Sequence, residues 1–230
     1  MAESSRPTRL ALTGELALAV ALVLFAGITA AVIGSAFAGP ATPLALQVVL
    51  AQGLIILAGL YSLLRWRAIP WSAIGLVRPQ LRDLPRGLTV LLVVFLCNGV
   101  FAGLVMLLSP GALEQHHARL TDVAGFLVGG LPLAAIAALM LFVALYEELL
   151  ARGFLLHRSR LLLAGIWPPV MLSSLLFGLG HGYQGWIGIA QTALVGIVLA
   201  RATLHWNTLW PAIIAHAALN TVALGLLLGA

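Results

Sequence analysis

The stretch PLAAIAALMLFVALYEELLAR, residues 132–152, decides the fold. Its first fourteen residues are apolar, and the whole stretch is about as long as a helix that crosses the roughly 30 Å hydrocarbon core of a bilayer. Pro132 suits the first turn of such a helix. Three charged residues, Glu147, Glu148 and Arg152, close the stretch. Because charges are expensive next to lipid, this end of the helix is predicted to face a protein interior or a wet cavity.

The composition of the whole chain extends this prediction. Apolar residues make up 62% of its 230 residues and charged residues 8%, with a mean hydropathy of +1.09. A soluble domain carries about a quarter charged residues, and no soluble core could absorb the apolar excess. The sequence therefore predicts an all-α fold, a single membrane domain over residues 1–230. We expect a polytopic transmembrane helical bundle of about seven spans (roughly six to eight) with an intramembrane polar site.

The apolar runs of the sequence indicate where the individual helices lie. They begin near residues 16, 44, 88, 132, 168, 186 and 211. Residues 1–125 are predicted to form the N-terminal helices, with a basic cytoplasmic segment at 65–86 and a polar loop at 109–125. The fifth run breaks in the glycine-rich residues 178–185, which predict either a loop outside the membrane or a re-entrant break.

The first apolar run has one feature of a signal peptide, since Ala36, Phe37 and Ala38 form a small-residue cleavage pattern. The apolar region of a signal peptide is about 7–15 residues long, and this run is longer. We therefore expect the first helix to be retained in the mature protein.

The arginines predict the topology. All twelve basic residues are Arg, and cytoplasmic loops are enriched in Arg and Lys. With the N-terminus in the cytoplasm, the cytoplasmic side holds ten of them, the other side holds Arg119, and Arg152 lies within a span. This distribution explains the net charge of +5 without a nucleic-acid partner. The Arg-only basic set and the short chain favour the inner membrane of a bacterium.

The charged residues of the fourth run divide into a pair and a single group. Arg152 lies one helical turn beyond Glu148, a spacing that favours an ion pair. Glu147 points about 140° away from Arg152 at 100° per residue, so it is the less neutralised carboxylate and the candidate general base. The alternative is a structural Arg–Glu cluster that joins two helices.

Two later runs carry the remaining candidates. His181 follows Phe177 at the spacing of one helical turn, and His216 and Asn220 share one face of the last helix. An imidazole and an amide can donate to a developing oxyanion, bind a metal, or join helices by hydrogen bonds. If the fifth helix crossed the whole membrane, His181 would lie deeper than His216, whereas a short fifth helix would bring the two to one depth.

Together these motifs resemble the CPBP family, the CAAX-protease and bacteriocin-processing (Abi) intramembrane proteases, which are related to the type II CAAX prenyl endopeptidases. The matching motifs are Glu147-Glu148-x-x-x-Arg152, Phe177-x-x-x-His181 and His216-x-x-x-Asn220, in that order. The resemblance covers about residues 132–230, and it predicts that residues 126–230 form a CPBP-like catalytic core.

The resemblance also implies roles for these residues. Glu147 would activate a water molecule that His181 helps to hold, and His216 and Asn220 would stabilise the oxyanion. Glu148, Arg152 and Phe177 would support these groups. The family is also described as metalloproteases, so Glu147, His181 and His216 are alternative ligands of a divalent metal such as zinc, although a metal-free mechanism is slightly favoured.

The function predicted is therefore an intramembrane endopeptidase that hydrolyses a membrane-associated peptide or protein, with the lipid bilayer as its other partner. Two alternatives come from other classes. One is a non-proteolytic membrane scaffold or bacteriocin-immunity factor that keeps the polar residues for structure. The other is an ion-coupled carrier, which the absence of an internal sequence repeat disfavours.

Overall fold

The computed structural model describes residues 7–37 and 44–229, and within them the chain contains helices and no strand. Arg6 and Ala38, which enter the predictions of topology and of signal cleavage, lie outside these residues. The α-helices are α1 (Arg9–Phe37), α2 (Leu44–Trp66), α3 (Asp83–Leu108), α4 (Pro110–Val128), α5 (Leu133–Glu148), α6 (Leu156–Leu162), α7 (Trp167–Gly180), α8 (Gly185–Trp206) and α9 (Trp210–Leu228).

Six helical stretches in the described chain are long and apolar enough to cross a membrane: α1, α2, α3, the continuous stretch Leu133–Leu162, α8 and α9. A seventh apolar helix, α7, has 14 residues. The predicted all-α polytopic membrane fold is confirmed, and about seven spans agree with this set.

Helix α5 packs against α9 and α2, and α9 also packs against α3, α4 and α8. Helices α1 and α2 form one close pair, α7 and α8 form a second, and α3 packs along α9 and α8. The largest apolar core lies between these layers, where residues such as Leu60, Ile136 and Ile213 are fully buried. This arrangement places the charged end of α5 beside α7 and α9.

The prediction of a polar loop at residues 109–125 is wrong, because residues 110–125 belong to α4. Pro110 stands in the first turn, where its missing N–H costs nothing. The buried residues of the helix, His116, Ala124 and Val128, are multiples of four residues apart and so share one face. The charged residues on the other face lower the mean hydropathy of the segment, so hydropathy alone did not indicate a helix.

A π-helical segment, Leu149–Leu155, joins α5 to α6 directly after the two glutamates. All seven of its residues are buried. The Ser173 hydroxyl of α7 donates a hydrogen bond to the carbonyl oxygen of Ala151 at 2.8 Å. Such a wide turn commonly marks a functional site, and here it carries Arg152 into the core of the bundle.

The glycine-rich residues 178–185 are a tight connection between two antiparallel helices. Helix α7 ends at Gly180, and a 3-10 turn, Gly182–Gln184, leads into α8. At 1.5 Å per residue, α7 is about 21 Å long, shorter than a bilayer core. Gly178 is required for this packing, since a Cβ there would meet the Ile189 carbonyl oxygen at 2.6 Å. His181 therefore lies inside the bundle, which is the outcome expected of a short fifth helix.

One end of the bundle gathers the basic residues. The carboxylate of Glu15 near the start of α1 is only 2% exposed. It pairs with Arg67 after α2 at 2.6 Å and with Arg158 of α6 at 2.5 Å. These contacts bring the start of α1, the end of α2 and the end of α6 together. The segment 65–86 lies at the same end, where the Leu209 N–H donates to the carbonyl of Gly75.

Candidate active site

A buried ion pair forms the base of the site. Arg152 Nη1 lies 2.7 Å from Glu148 Oε1, and neither side chain is exposed. The same carboxylate oxygen accepts a hydrogen bond from His216 Nδ1 at 2.8 Å. The pair predicted from the four-residue spacing is present, and it also fixes the ring of a histidine on α9.

The other carboxylate, Glu147, faces a different group of atoms. Its side chain is 20% exposed, and its Oε2 lies 3.7 Å from Nε2 of His216 and 4.0 Å from Nε2 of His181. This oxygen has no hydrogen-bond partner among the described residues. Helix α5, helix α9 and the residue after α7 thus bring one carboxylate and two imidazoles together. The distances between their facing atoms are longer than a hydrogen bond and close to van der Waals contact.

The hydrogen bonds of the two histidines determine which ring nitrogens carry protons. His181 Nδ1 lies 2.9 Å from the carbonyl oxygen of Phe177, which can only accept. His216 Nδ1 faces the carboxylate of Glu148, which also accepts. Each Nδ1 therefore donates, and in a neutral ring the Nε2 atom that faces Glu147 is an acceptor. When both rings are neutral, three acceptors face one another, and a water molecule or a proton on one ring would supply the missing donor.

Phe177 connects the ion pair to both histidines. The guanidinium carbon of Arg152 lies 4.0 Å from the centre of its ring, a cation–π contact. The rings of His181 and His216 lie 4.8 and 5.8 Å from it, centre to centre. Phe177 thus fixes the positions of three polar side chains and excludes water from one side of Arg152.

Asn220 stands one turn beyond His216 on α9 and is half-buried. Its side chain makes no hydrogen bond to another residue in the described part of the chain. An amide in this position is available to a ligand, in contrast to Glu148 and Arg152, which hold each other. The residues that the sequence singled out lie on α5, the π segment, α7 and α9, apart from His181, which directly follows α7.

The comparison with protein families places this site within a known domain. Residues 129–222 match the family model described as type II CAAX prenyl endopeptidase Rce1-like. Residues 129–222 are an Rce1-like domain. The match begins just before α5 and includes every residue of the site. The predicted resemblance is confirmed over these residues, and the match supports a CAAX-type intramembrane protease, a hydrolase that acts on peptide bonds. No curated protein and no solved structure matches the chain.

The resemblance offers Glu147, His181 and His216 of this Rce1-like domain as alternative zinc ligands. Two ligands of one tetrahedral zinc lie about 3.3 Å apart, because Zn–N and Zn–O bonds are about 2.0–2.1 Å long. The distances from Glu147 to the histidine nitrogens are longer, 3.7 and 4.0 Å. Among the described residues, no three His, Cys, Asp or Glu side chains are arranged to hold a metal. The arrangement of these three side chains therefore does not fit a tetrahedral zinc ion.

Two serines of α7 that the sequence analysis does not single out support the Rce1-like site. Ser173 donates to the π segment, and Ser174 is fully buried. A Cβ on Gly196 of α8 would lie 3.0 Å from that of Ser174 and 3.2 Å from Nη2 of Arg152. The spacing of Ser173, Phe177 and His181, four residues each, was the available signal, because it places all three on one face of α7.

Proposed function

We propose that this Rce1-like protease cleaves a peptide bond of a membrane-associated peptide or protein by means of a water molecule activated by Glu147. The carboxylate removes a proton from the water, and the hydroxide forms a bond to the carbonyl carbon of the substrate. The proton then passes from Glu147 to the leaving nitrogen as the C–N bond breaks. Water supplies both parts of the hydrolysis, so the reaction needs no other reactant.

The observation that carries this proposal is the position of Glu147 Oε2 relative to the two Nε2 atoms. Distances of 3.7 and 4.0 Å are too long for direct hydrogen bonds. One water molecule within hydrogen-bond distance of both groups would donate one hydrogen to the carboxylate and one to a neutral imidazole. A water held in this way has its lone pairs turned toward the centre of the site, where the substrate carbonyl would lie.

The oxyanion requires donors, which we assign to His216 and Asn220. His216 donates through Nδ1 to Glu148, so its Nε2 carries a hydrogen only in the imidazolium form. The carboxylate of Glu148 lies 2.8 Å away and accepts from Nδ1 in either form. Asn220 donates through its amide without any change of protonation. We therefore assign the permanent donor role to Asn220 and a role that depends on protonation to His216.

Glu148, Arg152 and Phe177 are positioning residues in this mechanism. Arg152 neutralises Glu148, and Glu148 fixes the ring of His216. Phe177 packs against Arg152 and both histidine rings. We assign each group to act through a histidine, because Glu148 and Phe177 contact the histidine rings, and Arg152 contacts both Glu148 and Phe177. Preorganised groups of this kind lower the reorganisation needed in the transition state.

We also propose that the N-terminus lies in the cytoplasm of a bacterium and that the basic end of the bundle faces it. Arg67, Arg158 and Glu15 join three chain segments at this end, and Arg201 stacks on Trp167 there. Positive charge at one end of a bundle favours that end as the cytoplasmic one. Alkaline phosphatase fused at the turn 129–132 should be active in the periplasm, and the same enzyme fused at 163–166 should be inactive.

The test of the proposed function compares wild type and Glu147→Gln, expressed at equal abundance in cells that lack the protein. Mass spectrometry of peptide termini in the membrane and medium should find new termini with wild type alone. Glu114→Gln, which removes an exposed carboxylate of α4, is the matched control and should behave as wild type. Identical termini for wild type and Glu147→Gln would support the scaffold or immunity alternative. A chelator added to membranes in the same assay tests for a metal.

A further inference from the structure

A second cavity opens at the basic end of the bundle, on the other side of the π segment from α7. Its volume is about 100 Å³, and it lies between the turn Trp71–Ile74, the π segment and the end of α8. The polar side chains that line it are Ser72, Arg152, His157, Arg160, Thr203 and Asn207. Two arginines line the cavity and no carboxylate does. Arg152 is paired with Glu148, so it is the charge of Arg160 that suits an anion.

Two of these side chains are buried and lack partners. Arg152 is 2% exposed, and its Nε and Nη2 atoms have no hydrogen-bond partner among the described residues. Thr203 is 6% exposed, and its hydroxyl also has none. A buried donor without a partner costs about 1–3 kcal/mol, and more when charged. Both residues line the cavity, so its wall holds donors that a bound group with acceptor oxygens would satisfy once a side chain turned toward it.

The second arginine of the lining stands at the mouth of the cavity. Arg160 is exposed and forms no ion pair within the described ranges. This differs from Arg67 and Arg158 at the same end, which are both held by Glu15. The turn that closes the cavity is held in place by Gly75, whose φ of 85° favours glycine and whose carbonyl accepts from Leu209.

The cavity lies at the level where lipid headgroups are expected. Tryptophans are enriched at membrane–water interfaces, and five of the six tryptophans stand at this end of the helices. They are Trp66, Trp71, Trp167, Trp206 and Trp210. Trp71 belongs to the turn that forms one wall, and Trp206 is the last residue of α8.

We infer that this cavity binds a phosphate group, supplied by an anionic lipid headgroup or by free phosphate. The volume suits a single phosphate, and Arg160, Thr203 and Asn207 supply donors around it. Arg152 lies in the wall and also pairs with Glu148, so the bound anion stabilises the bundle next to the protease site. The inference goes beyond peptide hydrolysis and stands independently of it, because binding is measured without a substrate.

The experiment measures the unfolding temperature of the full-length chain in a nonionic detergent, followed by tryptophan fluorescence at constant ionic strength. Three ligands are titrated separately: short-chain phosphatidylglycerol, short-chain phosphatidylcholine and inorganic phosphate. The test variant combines Arg160→Gln with Thr203→Val. The first substitution removes the charge of an exposed residue, and the second replaces a buried hydroxyl by a methyl group of similar size. Arg65→Gln, which removes an exposed charge at the same end but outside the cavity, is the control.

We expect phosphatidylglycerol or inorganic phosphate to raise the unfolding temperature of wild type and of Arg65→Gln. The concentration needed should rise about tenfold or more in the double variant, because a hydrogen bond to a charged group is lost. A rise with the lipid alone identifies the headgroup as the source, and a rise with inorganic phosphate alone identifies the free ion. No rise with either ligand, equal responses in the double variant, or an equal loss in Arg65→Gln would overturn the inference.

Discussion

In the most apolar windows of α1, α2 and α3, 22%, 22% and 17% of the residues are buried, whereas half are buried in Leu133–Leu162 and in α8. The first three helices therefore present most of their surface to lipid, and the later helices surround the polar site. In lipid, apolar side chains gain little from leaving the surface. The difference indicates that polar contacts and close packing in the second half hold the site, while the first half encloses it.

The buried charges follow the same division. Glu15 and Asp83 lie at helix ends of the first half, and both pair with arginines that reach toward the surface. Glu148 and Arg152 lie in the middle of the bundle, with no exposed part. A charge near a helix end can be hydrated by its neighbours, whereas a central one depends entirely on its partner. Substitutions of the two classes should therefore differ in cost.

The largest effect on stability is expected from Arg152→Met. It leaves Glu148 buried with only His216 beside it, and breaking such a pair costs about 3–5 kcal/mol in the free energy of unfolding. Reversible unfolding in mixed detergent micelles measures this loss. The double variant Glu148→Gln with Arg152→Met removes both charges and should be more stable than Arg152→Met alone. If the single variant lost less than about 1 kcal/mol, the central pair would not differ from a surface pair.

A smaller effect on stability is expected from Glu15→Gln. Glu15 joins the two halves of the chain at the basic end through its pairs with Arg67 and Arg158. Arg158 is 5% exposed and loses its carboxylate partner, while Arg67 is more exposed and can be hydrated. We expect a loss of about 2 kcal/mol, in the range for one hydrogen bond to a charged group. Cleavage per folded molecule should not change. A loss of cleavage without a loss of stability would show that Glu15 acts on the site.

Two substitutions on a single helix separate buried from lipid-facing positions, and the smallest effect is expected at the lipid-facing one. Leu60 of α2 is fully buried and Leu54 of the same helix is 61% exposed. Leu60→Ala opens a cavity and should cost about 2 kcal/mol, whereas Leu54→Ala should change the free energy of unfolding by less than about 0.5 kcal/mol. Equal losses in the two variants would mean that α2 is held by contacts other than those described.

The sequence predicted the membrane class and most of the helix positions, because long apolar runs determine them. It also predicted the pairing of Glu148 with Arg152, which depends only on local spacing. It missed α4, whose buried stripe is short and lies among charged residues. It could not predict the π segment, or the contact of Glu148 with His216 on another helix, since both depend on how distant helices pack.

The central claim is that Glu147 and His181 act on the same water molecule. A purified protein and a substrate peptide identified from the cellular termini allow a direct test with Glu147→Gln, His181→Gln and the double variant. A positioned general base contributes about 10²–10⁴ in rate, and residues that act as one unit are strongly non-additive. We expect the double variant to cleave as slowly as Glu147→Gln alone. Losses that multiply in the double variant would contradict the shared water and assign the two residues to separate steps.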